Sequence, residues 1–282
     1  MLDQTQLLER ILYPVVRVRT QKGGGSGVIV YSQPDPKKPG KYCSVVLSCE
    51  HVISDSISVK EDWDTVLKQE RKKDFFEEVQ VEVFDYDGSK SVSANATQAD
   101  IIAYDAHHDM AAIKLHNIRQ MPYVASIIPE SDIDGLQVFD PCWVSGCSLS
   151  HEPFASPGNI TFLREMIEQK QFVMASAPSC FGNSGGGLFH GVSGHLLGLT
   201  SRITAIQLGF GVDLITFMGF SSAPSRFYEF FEDQELQFLY DPDDDYYSAM
   251  ERRDRRRKDA LRSILLGGNE DEAKSKSGKE SA

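Results

Sequence analysis

Most of this chain consists of short apolar runs separated by turn-forming residues. The runs are rich in β-branched and aromatic residues, which pack well on a pleated sheet. They begin at residues 15, 27, 44, 79, 99, 111, 137, 158, 186, 195 and 214. Many short strands with loops between them, and few stretches of helical period, predict an all-β barrel or sandwich.

Helical patterns occur near the ends of the chain and in one internal insert. The pattern predicts a short helix over residues 3–11, and a second helix within residues 222–239 that packs on the β-structure, with Ser225 as its candidate N-cap. The insert, residues 60–78, is strongly charged. It is either a third helix or a solvated surface element.

The composition changes sharply after residue 238. An acidic run, "YDPDDDYY", precedes "ERRDRRRKDALRSILLGG", a basic helical stretch that we expect to end at its Gly pair. The polar residues that follow are typical of disorder. We therefore divide the chain into an N-terminal helix (1–11), a β domain (12–238) and a charged helical or disordered tail (239–282).

Length and hydropathy limit the possible classes of protein. The 282 residues are enough for one domain of about 200–250 residues with an appendage, or for two modest domains. No apolar run reaches the roughly 18 residues that cross a bilayer, so we expect no membrane partner. The first residues are acidic where a secretory signal is basic, which predicts a cytoplasmic protein.

Charge and cysteine usage bear on partners. The net charge of −12 argues against general affinity for nucleic acid. The basic segment 252–258 is a local exception, either a solvated helix or a docking site for an acidic partner or nucleic acid. The five cysteines are odd in number and irregularly spaced, which favours free thiols over a disulfide framework or a zinc ribbon. We predict neither a metal nor a cofactor, and the oligomeric state stays open.

The segment "SCFGNSGGGLF", residues 179–189, surrounds Ser184 with four glycines. Glycine permits backbone conformations and close approaches that other residues resist, so such a cluster marks a special turn. One interpretation is a glycine-rich loop before a strand. The other is a nucleophilic serine on a tight turn, whose N–H groups point at a reacting carbonyl oxygen.

Two upstream segments supply the partners that a nucleophilic serine needs, a histidine to take its proton and a carboxylate to orient that histidine. "VVLSCEHVIS" places His51 at the end of an apolar strand, and "AYDAHHDMAAIKL" places Asp109 directly before another. Taken alone, His51 would be interpreted as a strand-end histidine and Asp109 as a turn residue. Asp105 is a rival carboxylate. The remaining histidines considered, His107, His108, His190 and His195, are expected in loops or at the surface.

The three motifs together resemble those of the chymotrypsin-fold serine proteases, especially the HtrA/Deg-type branch. "CEHV", "DMAAIKL" and "GNSGGGL" occur in the family's order of His, Asp and Ser. Further similarity lies in "GSGVIV" (25–30), in residues 144–161 and in "LLGLTS" (196–201), so that the resemblance covers about residues 12–235. The match includes no PDZ-like domain after the protease domain.

The resemblance implies two six-stranded β-barrels of the chymotrypsin/trypsin-like fold, with the active site between them. It makes Ser184 the nucleophile, His51 the general base and then acid, and Asp109 the residue that orients His51. The N–H groups of Gly182 and Ser184 would form the oxyanion hole. The implied activity is that of a serine endopeptidase that cuts protein or peptide substrates through an acyl-enzyme intermediate.

The resemblance also suggests which residues bind the side chain that precedes the cut. They are Pro178, six residues before the nucleophile, with Phe181, Leu199, Thr200, Gly219 and Phe220. None of them is a carboxylate, and burying an unpaired substrate cation is costly. We therefore predict cleavage after small or medium apolar residues such as Val, Ala, Leu or Met, with little cleavage after Arg or Lys.

Departures from the family pattern leave alternatives open. Asn183 stands where digestive relatives have an aspartate that pairs with a newly cut N-terminus, so we do not expect activation by cleavage. The sequence "GNSGG" also fits the GxSxG turn of α/β-hydrolases, although the late histidine and the helices of that fold are missing. The other alternative is a protease-fold binding or scaffold protein with little or no activity.

Overall fold

The computed structural model describes residues 2–64, 69–116, 119–208 and 211–277. The chain divides into two compact units. The first comprises Met1–Ser58 and Phe76–Phe230, and the second comprises Val59–Phe75 and Phe231–Ala282. No helix of the described residues is long and apolar enough to span a membrane.

The described residues form fourteen strands and four α-helices. The helices are α1 (Gln4–Leu7), α2 (Glu50–Ile53), α3 (Ser225–Asp233) and α4 (Tyr246–Ser277). The strands are β1 (Val15–Arg19), β2 (Gly24–Pro34), β3 (Tyr42–Ser48), β4 (Ile57–Asp64), β5 (Gln69–Phe76), β6 (Val79–Asp87), β7 (Lys90–Asp105), β8 (Met110–Leu115), β9 (Pro141–Gly146), β10 (Phe154–Ile167), β11 (Lys170–Ala175), β12 (Gly187–His190), β13 (Leu196–Leu208) and β14 (Gly211–Ser222).

Twelve of these strands close into two barrels, both within the first unit. The strand order is β1-β2-β3-β8-β7-β6 in the first barrel and β10-β11-β14-β13-β12-β9 in the second. Valine dominates the strands of the first barrel because a branched side chain fits a pleated, buried surface. Val16, Val46 and Val81, for example, are fully buried. The prediction of an all-β fold with two six-stranded barrels is confirmed, and the α/β-hydrolase alternative is excluded.

The second barrel has a core of its own. Its fully buried side chains include Ile160, Leu188 and Leu197, each 0% exposed. These residues come from three different strands of the closed sheet, so each strand contributes one face to the same apolar interior.

The charged insert forms strands and not the helix that was one of its two predicted structures. Residues 60–64 and 69–76 of the insert belong to β4 and β5, which pair as a two-stranded sheet, whereas residues 65–68 lie outside the described residues. Val59 and Trp63 of β4 are four positions apart, a spacing that shares one face in a strand and also in a helix, so it does not distinguish the two. An ion pair of 2.7 Å between Lys73 and Asp62 joins the two strands. Pairing of the two strands therefore prevailed over the helix-favouring charged residues.

The helical predictions at the two ends need partial correction. Residues 3–11 do form a helix, which is α-helical over α1 and continues as a π-helix over Leu8–Leu12. The helix predicted within 222–239 ends at Asp233, because Glu235 adopts a positive φ of 55° and reverses the chain. A short 3₁₀ segment, Gln237–Leu239, follows it.

The tail helix is longer than predicted. Helix α4 continues through the Gly pair to Ser277, although the sequence predicts a stop at the pair and disorder beyond it. Glycine weakens a helix by only about 1 kcal/mol relative to Ala, and the residues after the pair include good helix formers. Residues 278–282 of the predicted tail lie outside the described residues.

Candidate active site

The barrel topology brings His51 and Asp109 together. His51 lies in the single turn of α2, directly after β3, and Asp109 directly precedes β8. Because β3 and β8 are paired, with Ser48 opposite Ala111, the loops at this end of the two strands are adjacent. The His51 Nδ1 atom lies 2.9 Å from Asp109 Oδ1 and 3.0 Å from Oδ2. The His51 backbone N–H also donates to Oδ1, at 3.1 Å.

A third group that contacts this carboxylate was not singled out by the sequence analysis. The Ser201 hydroxyl donates a hydrogen bond of 2.6 Å to Asp109 Oδ2. The only signal in the sequence is that Ser201 ends the stretch "LLGLTS", which resembles the family's substrate strand. Nothing in the spacing of Ser201 and Asp109, 92 positions apart, indicates the contact.

The environment of Asp109 keeps it ionised. Burial by itself would raise the pKa of Asp109, but hydrogen bonds from His51 and Ser201, together with attraction to His51, outweigh it. Its pKa therefore lies below the ordinary value. The rival carboxylate, Asp105, instead contacts His108, whose Nδ1 lies 2.9 Å from Asp105 Oδ2. His108 was expected at the surface or in a loop, but it lies in a turn and is only 7% exposed.

The turn that carries Ser184 comes from the second barrel and abuts the His51 segment. The Ser26 N–H donates to the Ser184 carbonyl at 2.8 Å. A Cβ added at Gly25 would lie 2.7 Å from the Ser184 carbonyl oxygen and 2.9 Å from the Val52 side chain. Gly25 thus separates Ser184 from the residue after His51, and only a residue without a side chain fits there.

The side chains of Ser184 and His51 are both accessible, Ser184 being half-buried and the His51 side chain 44% exposed. Within the described parts of the chain, the Ser184 hydroxyl makes no hydrogen bond to the His51 ring. Such catalytic hydrogen bonds are often long without substrate and tighten in the complex.

Two glycines give the serine turn its shape. Gly182 has a φ of 95°, and a Cβ there would lie 2.7 Å from Leu149 N and 2.8 Å from the Cys147 carbonyl oxygen. Gly185 has a φ of 83°, and a Cβ there would overlap with the Ser26 carbonyl oxygen. Among the described residues, the N–H groups of Gly182 and Ser184 have no hydrogen-bond acceptor. They are therefore available to a ligand oxygen.

Buried, neutral polar groups stabilise this turn through hydrogen bonds. Asn183 is only 2% exposed, and its Oδ1 accepts a hydrogen bond from the Ser148 hydroxyl. The Ser26 hydroxyl donates to the Gly182 carbonyl at 2.6 Å and accepts from Cys147 N–H at 2.7 Å. The turn is thus held by uncharged hydrogen bonds within the described chain, where digestive relatives use an ion pair.

The residues predicted to bind the substrate side chain differ in accessibility. Pro178 is exposed, Phe181 is 61% exposed and Phe220 is half-buried. Gly219 faces Ser179, since a Cβ at Gly219 would lie 3.1 Å from Ser179 Cβ. Leu199 is 0% exposed and Thr200 is 2% exposed, so neither presents a free side-chain surface in this structure.

One cluster near the site has the residue types of a metal centre. Cys49, His51 and Asp109 place possible ligand atoms within 4.8 Å of one another. Burial, and then the nearby Asp109 carboxylate, raise the pKa of the Cys49 thiol well above its ordinary value. The thiol donates to the Thr200 carbonyl oxygen at 3.3 Å. A metal bound here would have to displace both the proton of this buried thiol and the Asp109 carboxylate from its contacts with His51 and Ser201.

Comparison with known proteins agrees with this architecture. A family model for the trypsin-like peptidase domain matches residues 25–199. A search of curated proteins finds no significant match. Among solved structures, the HtrA-type protease AlgW with a tripeptide is similar, with a TM-score of 0.57 and 18% identity over 84% of this chain and 64% of that chain.

A second similar structure is Deg5, with a TM-score of 0.54 and 18% identity over 80% of this chain and 90% of that chain. At these identities the likeness concerns the fold, and the chain spans less than two thirds of the AlgW chain. The family model is more specific, because it covers more than half of the sequence and includes His51, Asp109 and Ser184. The chain therefore belongs to the trypsin-like peptidase family, as the resemblance of its three motifs predicts.

Proposed function

We propose that this protein is a serine endopeptidase, a hydrolase in which His51, Asp109 and Ser184 form the catalytic triad. The observation that carries the proposal is the hydrogen-bonded pair of His51 and Asp109, beside a serine turn with two unoccupied N–H groups. Each part is built by a different element of the fold, and none of them is needed for a glycine-rich loop that only connects strands. The substrates are proteins or peptides.

The proposed reaction has two halves. The Ser184 oxygen attacks the scissile carbonyl carbon while its proton passes to His51 Nε2, and Asp109 stabilises the imidazolium through Nδ1. The N–H groups of Gly182 and Ser184 stabilise the oxyanion of the tetrahedral intermediate. His51 then gives the proton to the leaving amine, which breaks the peptide bond and leaves an acyl-enzyme. Water, deprotonated by His51, hydrolyses the ester and restores Ser184.

The cleft supports the predicted preference for apolar side chains. None of the residues predicted to bind the substrate side chain is a carboxylate, and Asp109 is already occupied by His51 and Ser201. Arg202, next to Ser201, adds a cation that is paired with Glu168 at its far end. A substrate Arg or Lys would therefore find no carboxylate among these pocket residues, and its desolvation would go uncompensated. We propose cleavage after residues such as Val, Ala, Leu or Met.

Labelling with a fluorophosphonate tests the nucleophile. We expect modification of the wild type at Ser184, no modification of Ser184→Ala, and full modification of Ser131→Ala, which removes an exposed hydroxyl of the 3₁₀ helix Glu130–Gly135. Peptide hydrolysis by Ser184→Ala should fall by about 10⁴-fold or more, since triad members act as a unit. Equal labelling of the Ser184→Ala protein would refute the assignment.

Specificity needs a separate measurement. Cuts in a mixed peptide library, mapped by mass spectrometry, should follow small or medium apolar residues. A dominant Arg or Lys preference would contradict the proposed pocket. An Ala-only or Ser-only profile would indicate that Phe181 or Phe220 fills it, and Phe181→Ala should then broaden the profile.

The alternative function is that of a protease-fold binding or scaffold protein. It predicts that peptides bind without being cut and that no fluorophosphonate adduct forms. We favour the enzyme because the two N–H groups of the serine turn have no acceptor among the described residues, an arrangement that binding alone does not require. We also propose a cytoplasmic location, which the five unpaired cysteines support.

A further inference from the structure

A buried arginine lies behind the Asp109 turn. Arg226, in the first turn of α3, is only 4% exposed. Its guanidinium donates one hydrogen bond to the His108 carbonyl and another, of 3.4 Å, to the Gln171 carbonyl. Its central carbon lies 4.9 Å from the centroid of the Phe172 ring. In the described chain it forms no ion pair with a carboxylate, although burying an unpaired cation is costly.

The position of the first hydrogen bond is informative. The His108 carbonyl belongs to the peptide group that joins His108 to Asp109, and Asp109 has a φ of 52°. This is the left-handed region, which a residue with a side chain seldom adopts. Rotation of the 108–109 peptide would turn Asp109 about its N–Cα bond and carry its carboxylate away from His51. The hydrogen bond from Arg226 opposes that rotation.

The same turn is held from its other side. Asp105 Oδ1 accepts from the N–H groups of His107, at 2.6 Å, and His108, at 3.2 Å. The His108 ring is fixed between Asp105 and Glu229, at 2.9 and 3.4 Å. The backbone N–H and C=O of His108 are therefore both anchored, one by an anion and the other by a cation.

Arg226 also interacts with the site electrostatically. Burial lowers the pKa of Arg226, and the nearby Asp109 carboxylate is the strongest influence in the opposite direction. Cys49 and Glu229 act in the same direction as Asp109, while Arg202 acts against them. Attraction to the Asp109 carboxylate thus favours the charged form of the Arg226 guanidinium.

We infer that Arg226 is a positioning residue, whose guanidinium holds the His108–Asp109 peptide so that the Asp109 carboxylate stays aimed at His51 Nδ1. The effect of Arg226 on the hydrogen bond between Asp109 and His51 can be measured whether or not the protein is an enzyme. The expected effect of Arg226 on catalysis, in contrast, rests on the proposed function.

Proton NMR of protein labelled with ¹⁵N-histidine tests the pairing directly. The hydrogen-bonded Nδ1–H of His51 should give a far-downfield signal, identified by its loss in His51→Gln. We expect Arg226→Met to remove or broaden this signal and Arg226→Lys, which keeps the charge but not the fork, to retain part of it. Tyr228→Phe is the matched control, because it removes a buried hydrogen bond from the same helix to the Ile128 carbonyl.

The control should lower the thermal midpoint and leave the His51 signal unchanged. An unchanged signal in Arg226→Met would overturn the inference. Should Arg226→Met fail to fold, Arg226→Lys decides, and a wild-type signal in this folded variant would likewise overturn it. Because the measurement needs no substrate, it stands even if the protein hydrolyses nothing.

A double-mutant cycle tests the catalytic consequence. Arg226→Met should slow the labelling of Ser184 about 10- to 100-fold, since small displacements of a catalytic group have effects of this size. In an Asp109→Asn background, Arg226→Met should alter the labelling rate of Ser184 less than about two-fold, because Arg226 acts on the rate only by positioning the Asp109 carboxylate. An undiminished effect in that background would overturn the positioning role. Absence of labelling in the wild type would instead refute the proposed function.

Discussion

At the scale of single residues, Asp109 is the most constrained group of the site. Its carboxylate accepts hydrogen bonds from the His51 backbone, the His51 ring and the Ser201 hydroxyl. It also adopts a left-handed backbone conformation, with a φ of 52°. A side chain held by three donors cannot rotate freely, so its orientation toward His51 is set before any substrate binds.

Ser201→Ala should weaken catalysis without abolishing it. A hydrogen bond to a charged group is worth about 1.5–3 kcal/mol, and we expect a loss of roughly 10- to 100-fold in kcat/KM. The Ser201 hydrogen bond is one cause of the lowered pKa of Asp109, so its removal raises that pKa. The stability that ionised Asp109 contributes is present at higher pH and lost as pH falls through its folded-state pKa.

Two measurements check this prediction. Acid unfolding of Ser201→Ala should begin at higher pH than that of the wild type, and peptide hydrolysis should show the loss in kcat/KM. Ser222→Ala is the control, since Ser222 is a buried serine of the adjoining strand that binds Leu199 N–H and does not contact Asp109. Equal kcat/KM values for Ser201→Ala and Ser222→Ala would contradict the role of Ser201.

The cysteines should differ in reactivity according to burial. Burial raises the pKa of Cys43, Cys142 and Cys147 from 9.0 to about 12, and that of Cys49 well above its ordinary value. At pH 8 these groups are neutral thiols and react slowly with a disulfide reagent. Cys180 is only half-buried. The native protein should therefore titrate about one thiol rapidly, and the denatured protein all five.

The Cys180→Ser variant should lose the rapid phase. Fewer than five thiols after denaturation without reductant would indicate disulfides and oppose the cytoplasmic proposal. The raised pKa values also predict a pH dependence. The stability from the buried neutral thiols is full below about pH 9 and declines as pH rises toward 12.

At the scale of elements, the serine turn depends on glycine for space as well as for conformation. Gly185→Ala would place a methyl group against the Ser26 carbonyl and the Ser48 hydroxyl, at a φ of 83°. We expect a loss of about 3 kcal/mol or more of folding free energy, together with loss of labelling at Ser184.

Gly88→Ala is the matched control for this turn. Gly88 also has a positive φ, of 56°, but a Cβ there would meet nothing within 4 Å. Only the conformational cost remains, about 1 kcal/mol, and activity should persist. Urea unfolding and labelling of both variants measure the difference. If both variants lost the same stability, crowding by Ser26 and Ser48 would not be the reason for a glycine at 185.

The elements also show where sequence patterns are sufficient and where they are not. Apolar runs predicted most strands of both barrels, because burial against a closed sheet imposes that pattern locally. The run at residue 137 lies just before β9 rather than in it, and β11 (Lys170–Ala175) was not predicted. The insert was misleading, since its Lys and Glu residues favour a helix and its apolar spacing does not distinguish a helix from a strand. The pairing of β4 with β5 determines that the insert forms strands rather than a helix, and this pairing cannot be predicted from the pattern of either strand alone.

At the scale of the whole molecule, motif order was sufficient to predict the approach of His51 to Asp109, but not the support around them. The contacts of Ser201 and Arg226 with the Asp109 turn span 92 and 118 positions of sequence. They depend on the closure of the second barrel and on the start of α3, which local patterns do not determine. His108 is buried for the same reason, as Arg226 and Glu229 cover it.

The second compact unit contains the tail, which contacts the end of α3 and the 3₁₀ segment after it. The Phe231 and Tyr240 rings are stacked at 5.8 Å, and the Phe238 and Tyr246 rings meet edge to face at 5.8 Å. Arg252 extends the contact through a hydrogen bond of 2.8 Å to Asp244. Removing the tail would expose apolar rings that are now buried.

A protein truncated after residue 238 should keep its chemistry and lose stability. His51, Asp109 and Ser184 all lie in the first unit, so Ser184 should be labelled within about two-fold of the wild-type rate. The exposed Phe231 and Phe238 should lower the thermal midpoint by several degrees, at about 1 kcal/mol per 2–4 °C for a protein of this size, and increase binding of an apolar dye. Truncation after residue 262, which keeps Tyr240, Tyr246 and Arg252, is the control. If the shorter protein folded but was no longer labelled, while the control was, the tail would be part of the catalytic unit.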